Sequence, residues 1–170
     1  ETTENLVSYI KVAVRDNGKP QAETGVFASP YTDDGTRIMV KNDGTIYTWG
    51  SDNKLGQLGR TGDTTEPAQV KGNNLDTNKV VQAAVGNSFI VVLTSDGTVY
   101  SWGVNTSGQN GYGYAKSYNR TPVATAIPRG KVITQIAVGE SHVIALSSDG
   151  DVYAWGNNDN GQLGIGIKTQ

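Results

Sequence analysis

The sequence contains no cysteine and a single histidine. The first absence excludes a disulfide framework, a thiolate metal site and a cysteine nucleophile. Proline is scarce, at 5 residues, and there is no G-X-Y period, so the chain is not collagen-like. Charge is sparse too: 18% of residues are charged, with a formal net charge of −2. That balance argues against neutralising phosphates as the main task, and no nucleic-acid partner is expected. The longest apolar run, Phe-Ile-Val-Val-Leu at 89–93, falls far short of the roughly 20 residues that span a bilayer. What the chain has in excess is glycine: 22 of 170 residues, against an average of about 7% in soluble proteins.

Repetition accounts for the glycine. The segments 43–50, 96–103 and 149–156 read Asp-Gly-Thr-Ile-Tyr-Thr-Trp-Gly, Asp-Gly-Thr-Val-Tyr-Ser-Trp-Gly and Asp-Gly-Asp-Val-Tyr-Ala-Trp-Gly. They begin at Asp43, Asp96 and Asp149 and end in Trp49-Gly50, Trp102-Gly103 and Trp155-Gly156, at a constant interval of 53 residues. All three tryptophans of the chain lie in this motif. A second motif follows each Trp-Gly: Gly-Gln-Leu-Gly at 56–59, Gly-Gln-Asn-Gly at 108–111 and Gly-Gln-Leu-Gly at 161–164. A third, Val-rich and ending in Gly86 or Gly139, precedes the second and third Asp-Gly.

Each period reads as short strands. Segments 89–93 and 143–146 are continuous apolar runs, as in strands covered on both faces. Segments 45–49, 98–102 and 151–155 alternate apolar and polar residues, as in half-covered strands. The Asn-Asp-Gly or Ser-Asp-Gly between the two types is a hairpin signal, because glycine accepts the positive φ of a primed turn. The Pro-Val segments 67–70 and 122–127 and the Val-rich segments 80–85 and 132–138 supply two more strands. No stretch sustains helical apolar spacing. Four antiparallel strands recurring about every 40–53 residues, with glycine and aromatic marks, are the signature of propeller blades.

The expected fold is therefore all-β: a propeller-type array of about three four-stranded antiparallel blades, incomplete as a closed ring on its own, since closed propellers use about four to eight. The units are 6–62, 63–113 and 114–166, with a tail at 167–170. In the first, degenerate unit, 10–14 stands as the first strand and 26–29 as the second, with 36–40 and 46–49 in the last two places. The tail coincides with the point where earlier repeats pass into their next Pro-Val strand. The expectation is either a piece of a longer repeat protein or a subunit completed by other copies.

The segment 139–164 resembles the repeat of the regulator of chromosome condensation family. The resemblance rests on Gly139, His142, Leu146, Asp149, Gly150, Val152, Trp155, Gly156, Asn158 and the Gly-Gln-Leu-Gly at 161–164. It covers 80–166 well and 36–62 in part. It implies a β-propeller with blades of about 50 residues, commonly seven, and a non-enzymatic role presenting a binding face. The family's eukaryotic archetype is a nucleotide-exchange factor for a small GTPase that docks on chromatin; other members include secreted bacterial proteins, one an inhibitor of β-lactamases. A bacterial or archaeal member is the expectation. Phe89 and Thr36 stand where the third unit has His142.

The candidate chemical groups reduce to structural ones. Ser141 and His142 are neighbours on a strand and so point to opposite faces, and Gly-Glu-Ser-His-Val lacks the Gly-x-Ser-x-Gly pattern. His142 is expected to bond across blades. Asn157, Asn158, Asp159 and Asn160 resemble part of a calcium loop but lack the distal bidentate glutamate, and read as turn formers. The Gly-rich 108–113 lacks the Lys-Ser/Thr ending of a phosphate loop. No catalytic, metal or cofactor site is expected. The tryptophans, beside their glycines, are expected to pack blade against blade. Tyr112, Tyr114 and Tyr118, with Lys116, Arg120 and Arg129, form the one aromatic and basic segment, which reads as a contact surface or as ordinary loop decoration. Asn105 and Asn119 head glycosylation triplets of a kind that arise often by chance.

Two non-enzymatic roles follow. One is a protein–protein interaction module presenting loops to a protein partner. The other is a building block that pairs with further copies of itself, through open blade edges and strand addition by 5–14. A GTPase or chromatin regulator is implied by the family alone and sits poorly with the acidic balance. The Thr/Asn/Gly/Ser-rich, Lys-poor, Cys-free composition and the start at Glu1 lead to the expectation of an extracellular or cell-surface protein.

Overall fold

The computed structural model describes residues 20, 22–32, 35–114 and 116–165. Among them there is no helix, and the strands form three consecutive antiparallel sheets. The first contains β1 (Gly25–Ala28), β2 (Arg37–Val40), β3 (Ile46–Trp49) and β4 (Ala68–Gln69). The second contains β5 (Val80–Val85), β6 (Phe89–Thr94), β7 (Val99–Val104) and β8 (Tyr118–Ala124). The third contains β9 (Ile133–Val138), β10 (His142–Ser147) and β11 (Val152–Gly156). Neighbours in sequence are neighbours in each sheet.

The Asp-Gly turns make the β2–β3, β6–β7 and β10–β11 hairpins. Asp43 Oδ1 accepts from the Thr45 amide and hydroxyl at 2.9 and 2.6 Å, and Asp96 Oδ1 from the Thr98 amide at 3.0 Å. Each aspartate thus supplies the acceptor that the tight turn needs, two residues on. Hydrogen bonding to Thr45 lowers the Asp43 carboxyl pKa. At Asp149 the ammonium of Lys131 is the larger influence and, with Ser147, holds the carboxyl down to about 2.

Hydrogen bonding cuts the chain at a different phase from the sequence units. Segment 67–70 reads as the opening of the second unit, yet Ala68 and Gln69 pair with Thr48 and Tyr47 and close the first sheet. Likewise the strand around Pro122 closes the second sheet and begins earlier, at Tyr118. The strand near 26–29 is the first of its sheet among the described residues. A repeat has no intrinsic start; only the partner of each edge decides where a sheet ends. The proposed strand 10–14 and the tail 167–170 lie outside the described residues, and so does any fourth strand of the third sheet.

The sheets stack face to face with one apolar core in each gap. β6 feeds both: Ile90 and Val92 pack with Ile38, Val40, Ile46 and Trp102 in the first gap, and Phe89, Val91 and Leu93 pack with Ile133, Val143 and Ala145 in the second. Residues 89–93 are all 0% exposed, which is why this strand is uniformly apolar. Among the described residues no further sheet covers β10. Val143 and Ala145 are buried against the second sheet, but His142, Ile144 and Leu146 on its other face are only half-buried. Val152 is 66% exposed, whereas Val99 at the same place in β7 is 1% exposed.

Candidate functional site

The Trp-Gly and Gly-Gln-x-Gly motifs form a latch between neighbouring sheets. Trp102 Nε1 donates to the Gln57 carbonyl at 3.0 Å, and Trp155 Nε1 donates to the Gln109 carbonyl at 3.0 Å. The indole lies so close that a Cβ at Gly59 would stand 2.6 Å from Trp102 Nε1, and one at Gly111 2.7 Å from Trp155 Nε1. The loop holds its carbonyl by its own side chains: Gln57 Oε1 accepts from the Leu55 amide and Asn53 Oδ1 from the Leu58 amide, and Gln109 and Asn105 repeat both bonds one blade later. Sequence reasoning marked the motif but not this role, because the acting atom is a main-chain carbonyl that no residue type announces.

The glycines before β6 and β10 serve a second contact. A Cβ at Gly86 would lie 2.0 Å from the Phe89 ring, and one at Gly139 2.1 Å from the His142 ring. His142 therefore occupies the position of Phe89, but on the face of the third sheet turned away from the second. It does not bond across that gap, because alternation along β10 sends Val143 there instead. Partial burial lowers its pKa.

Between the second and third sheets lies a cleft of about 520 Å³. Its lining includes Gly108, Tyr114, Ile127, Pro128, Tyr153 and Trp155. The same position between the first and second sheets is filled by β8. There, Asn119 O lies 2.7 Å from where a Gly56 Cβ would be, Asn73 Nδ2 donates to the Pro122 carbonyl, and Arg120 donates to the carbonyls of Asn53 and Lys54 at 3.0 Å each. At Gly108, the counterpart of Gly56, a Cβ would meet nothing within 4 Å. Among the described residues the β11 edge is thus unpaired, and the cleft beside it is walled by aromatic and apolar side chains.

The structure divides the aromatic and basic segment. Arg120 stacks over Tyr118 at 4.8 Å and grips the first blade's loop. Tyr112 turns inward and donates its hydroxyl to the Ser101 carbonyl at 2.5 Å. Tyr114, 59% exposed and 6.0 Å from the Tyr112 ring, lines the cleft. Of the four, Tyr114 is the one at the cleft. Burial pushes the Tyr112 phenol up to about 12. A raised pKa favours the protonated form in the fold, so its contribution to stability is complete below the ordinary value of 10 and lost as pH rises through about 12. In a spectrophotometric titration, Tyr112→Phe should remove a phenol that ionises well above the ordinary value of 10.

The remaining candidates are absorbed by turns. Asn157 Oδ1 accepts from the Asp159 amide, Asn158 Oδ1 accepts from the Leu163 amide, and Gln162 Oε1 accepts from the Asn160 amide. Asn105 is fully buried, with Nδ2 donating to the Tyr114 carbonyl, so its triplet is no surface glycan site in this fold. Among the described residues no cluster of three His, Asp or Glu side chains forms a metal site.

A model of the regulator of chromosome condensation (RCC1) repeat matches residues 43–93 and 96–146, more than half of the chain, and a second model of the same repeat matches 80–109 and 133–162. The chain belongs to the RCC1 repeat family. It is 36% identical over 133 residues to the E3 ubiquitin-protein ligase HERC2 of Homo sapiens, covering 78% of this chain and 3% of that protein. To the ultraviolet-B receptor UVR8 of Arabidopsis thaliana it is 36% identical over 129 residues, 76% of this chain and 29% of the receptor. Among solved structures, Prp20p from Saccharomyces cerevisiae superposes with a TM-score of 0.65 at 28% identity, over 79% of this chain and 33% of Prp20p. Human WBSCR16 does so with 0.67 at 27% identity, over 86% and 37%. The chain thus spans a third or less of UVR8 and of Prp20p and a small fraction of HERC2. RCC1 repeats of this kind are propeller blades, and the latch is how consecutive blades of this chain meet.

Proposed function

We propose that this RCC1-repeat chain is a non-catalytic protein-interaction module that meets a protein partner through the loop surface around Tyr114. The observation that carries this reading is Tyr114 itself, 59% exposed beside the Tyr112 ring at 6.0 Å, with Ile127, Pro128 and Trp155 on the same wall. Tyrosine is enriched at protein interfaces and among their hot spots. Relatives with protein partners support a binding role: Prp20p is described with Gsp1p and histones, and a second structure holds yeast RCC1 bound to Kap60. A chromatin or GTPase role rests on the family alone, and the net charge of −2 does not favour direct contact with nucleic acid. An extracellular or cell-surface setting is proposed on the Cys-free, Lys-poor composition.

Affinity capture with the immobilised chain, followed by titration of the captured protein, tests this reading. A stoichiometric protein should bind saturably, and Tyr114→Ala should weaken it about 10-fold, as expected for an aromatic interface anchor. No saturable partner, or binding indifferent to Tyr114→Ala, would sink the reading.

A further inference from the structure

An asparagine followed by glycine holds both partners of a reaction. The side-chain carbonyl carbon is one ring closure away from the next main-chain nitrogen, so attack is intramolecular and needs no encounter. Glycine, lacking a Cβ, leaves that nitrogen uncrowded and the backbone free to adopt the cyclic geometry. The dipeptide occurs at Asn17-Gly18, Asn110-Gly111 and Asn160-Gly161. The first lies outside the described residues. The other two sit in the loops that follow Trp102-Gly103 and Trp155-Gly156.

The fold treats these two asparagines differently. Asn110 is 0% exposed, and its Nδ2 donates to the Gly103 carbonyl at 3.1 Å while its main-chain amide donates to Asn105 Oδ1 at 2.9 Å. Turning this side chain onto the Gly111 nitrogen would break a buried hydrogen bond, and the Trp155 indole stands against Gly111. Asn160 is exposed, and its side chain has no hydrogen-bond partner among the described residues, although its main-chain amide donates to Gln162 Oε1 at 3.0 Å. The attacking nitrogens are alike: the Gly161 amide donates to the Asn158 carbonyl at 3.0 Å and the Gly111 amide to the Gly108 carbonyl at 2.9 Å. The side chain makes the difference. Exposure at this place belongs to the loop, since Leu55, the counterpart of Asn160 in the loop over which the second blade is built, is still 39% exposed.

We infer that Asn160 is a site of non-enzymatic deamidation, while Asn110 is protected by the fold. The Gly161 nitrogen gives up its proton to solvent base and attacks Asn160 Cγ. The new N–Cγ bond forms as the bond from Cγ to the side-chain nitrogen breaks, and that nitrogen leaves as ammonia with a proton from solvent. Water then opens the cyclic imide. Opening at Cγ gives aspartate, and opening at the main-chain carbonyl gives isoaspartate, with the old side chain now in the backbone. The balance is one water in and one ammonia out, with no oxidant or cofactor. Either product sets a carboxylate beside Asp159, whose own carboxylate accepts from Asn157 Nδ2 at 2.7 Å. Isoaspartate also lengthens the backbone between the two residues that the Asn160–Gln162 bond joins. None of this depends on a partner at Tyr114.

Peptide mapping by mass spectrometry during incubation of the whole chain in mildly alkaline buffer tests it. In the folded chain the peptide carrying Asn160 should exchange ammonia for water and split into aspartyl and isoaspartyl forms. It should do so about 10-fold faster or more than the peptide carrying Asn110, the scale set by one buried hydrogen bond that must be broken first. In denaturant the two rates should converge, because the reacting dipeptide is the same. Asn160→Ser installs the residue type that the second loop carries at Ser107. It should keep the wild-type circular dichroism and lose the acidic form that accompanies Asn160 conversion on ion exchange. Equal rates at the two asparagines in the folded chain, or an Asn160 that converts in denaturant but not in the fold, would overturn the inference.

Discussion

Trp102→Ala should destabilise the chain by about 3–5 kcal/mol in urea unfolding, the range for deleting a fully buried large aromatic side chain. Trp102 is 0% exposed and packs in the first interblade core. Its loss opens a cavity between two sheets and leaves the Gln57 carbonyl without the indole donor that now reaches it at 3.0 Å. Trp49→Ala supplies the internal contrast. The same residue type in the same motif lies half-buried on an outward face, so the monomer should lose about 1 kcal/mol or less there. Equal losses at the two positions would show that the tryptophan stabilises its own sheet rather than the junction with the preceding one.

Gly86→Ala is the second large effect. A Cβ at this position would fall 2.0 Å from the edge of the Phe89 ring, and Phe89 is 0% exposed, so the ring has nowhere to go. Overpacking of this kind typically costs 1–3 kcal/mol, and because the clash is with an immobile ring we expect about 3 kcal/mol. Gly139→Ala creates a clash of nearly the same length, 2.1 Å, with His142. The His142 ring, however, lies on the half-open face of β10 and can swing away, so a loss of about 1 kcal/mol or less is expected. Thermal unfolding of the pair, read by circular dichroism, checks the order. If the two variants melt together, the open face of the third sheet is closed in solution.

Both predictions compare positions that are alike in sequence and unlike in environment. Phe89 and His142 occupy corresponding places, as do Trp49, Trp102 and Trp155, and Gly59, Gly111 and Gly164. Sequence periodicity makes each set legible, because a blade needs the same turn glycine, the same hairpin aspartate and the same interface indole every time it is built. It does not say which copy of the set meets a neighbour. The cleft was legible only in part: Tyr114 belongs to the aromatic segment visible in the sequence, but Ile127, Pro128 and Tyr153 reach the same wall from other strands and loops. The division of that segment, with Arg120 gripping the first blade and Tyr112 buried on Ser101, depends on where β8 runs relative to a loop some 66 residues earlier.

By itself, the sequence determined an all-β repeat of period 53, hairpins at Asp43, Asp96 and Asp149, and the absence of any cysteine chemistry. These follow from local chemistry: alternation, turn propensity and residue inventory act over a few residues. The tertiary structure decided where one blade ends and the next begins, since Ala68 and Gln69 join the sheet whose β3 edge is free rather than the unit that follows them in the chain. It also decided that, among the described residues, the shared motif Trp-Gly means a buried latch at Trp102 and a half-buried, outward-facing indole at Trp49. Hydrogen-bond partners and buried faces are properties of pairs of segments brought together in space, and no single period of the repeat contains them.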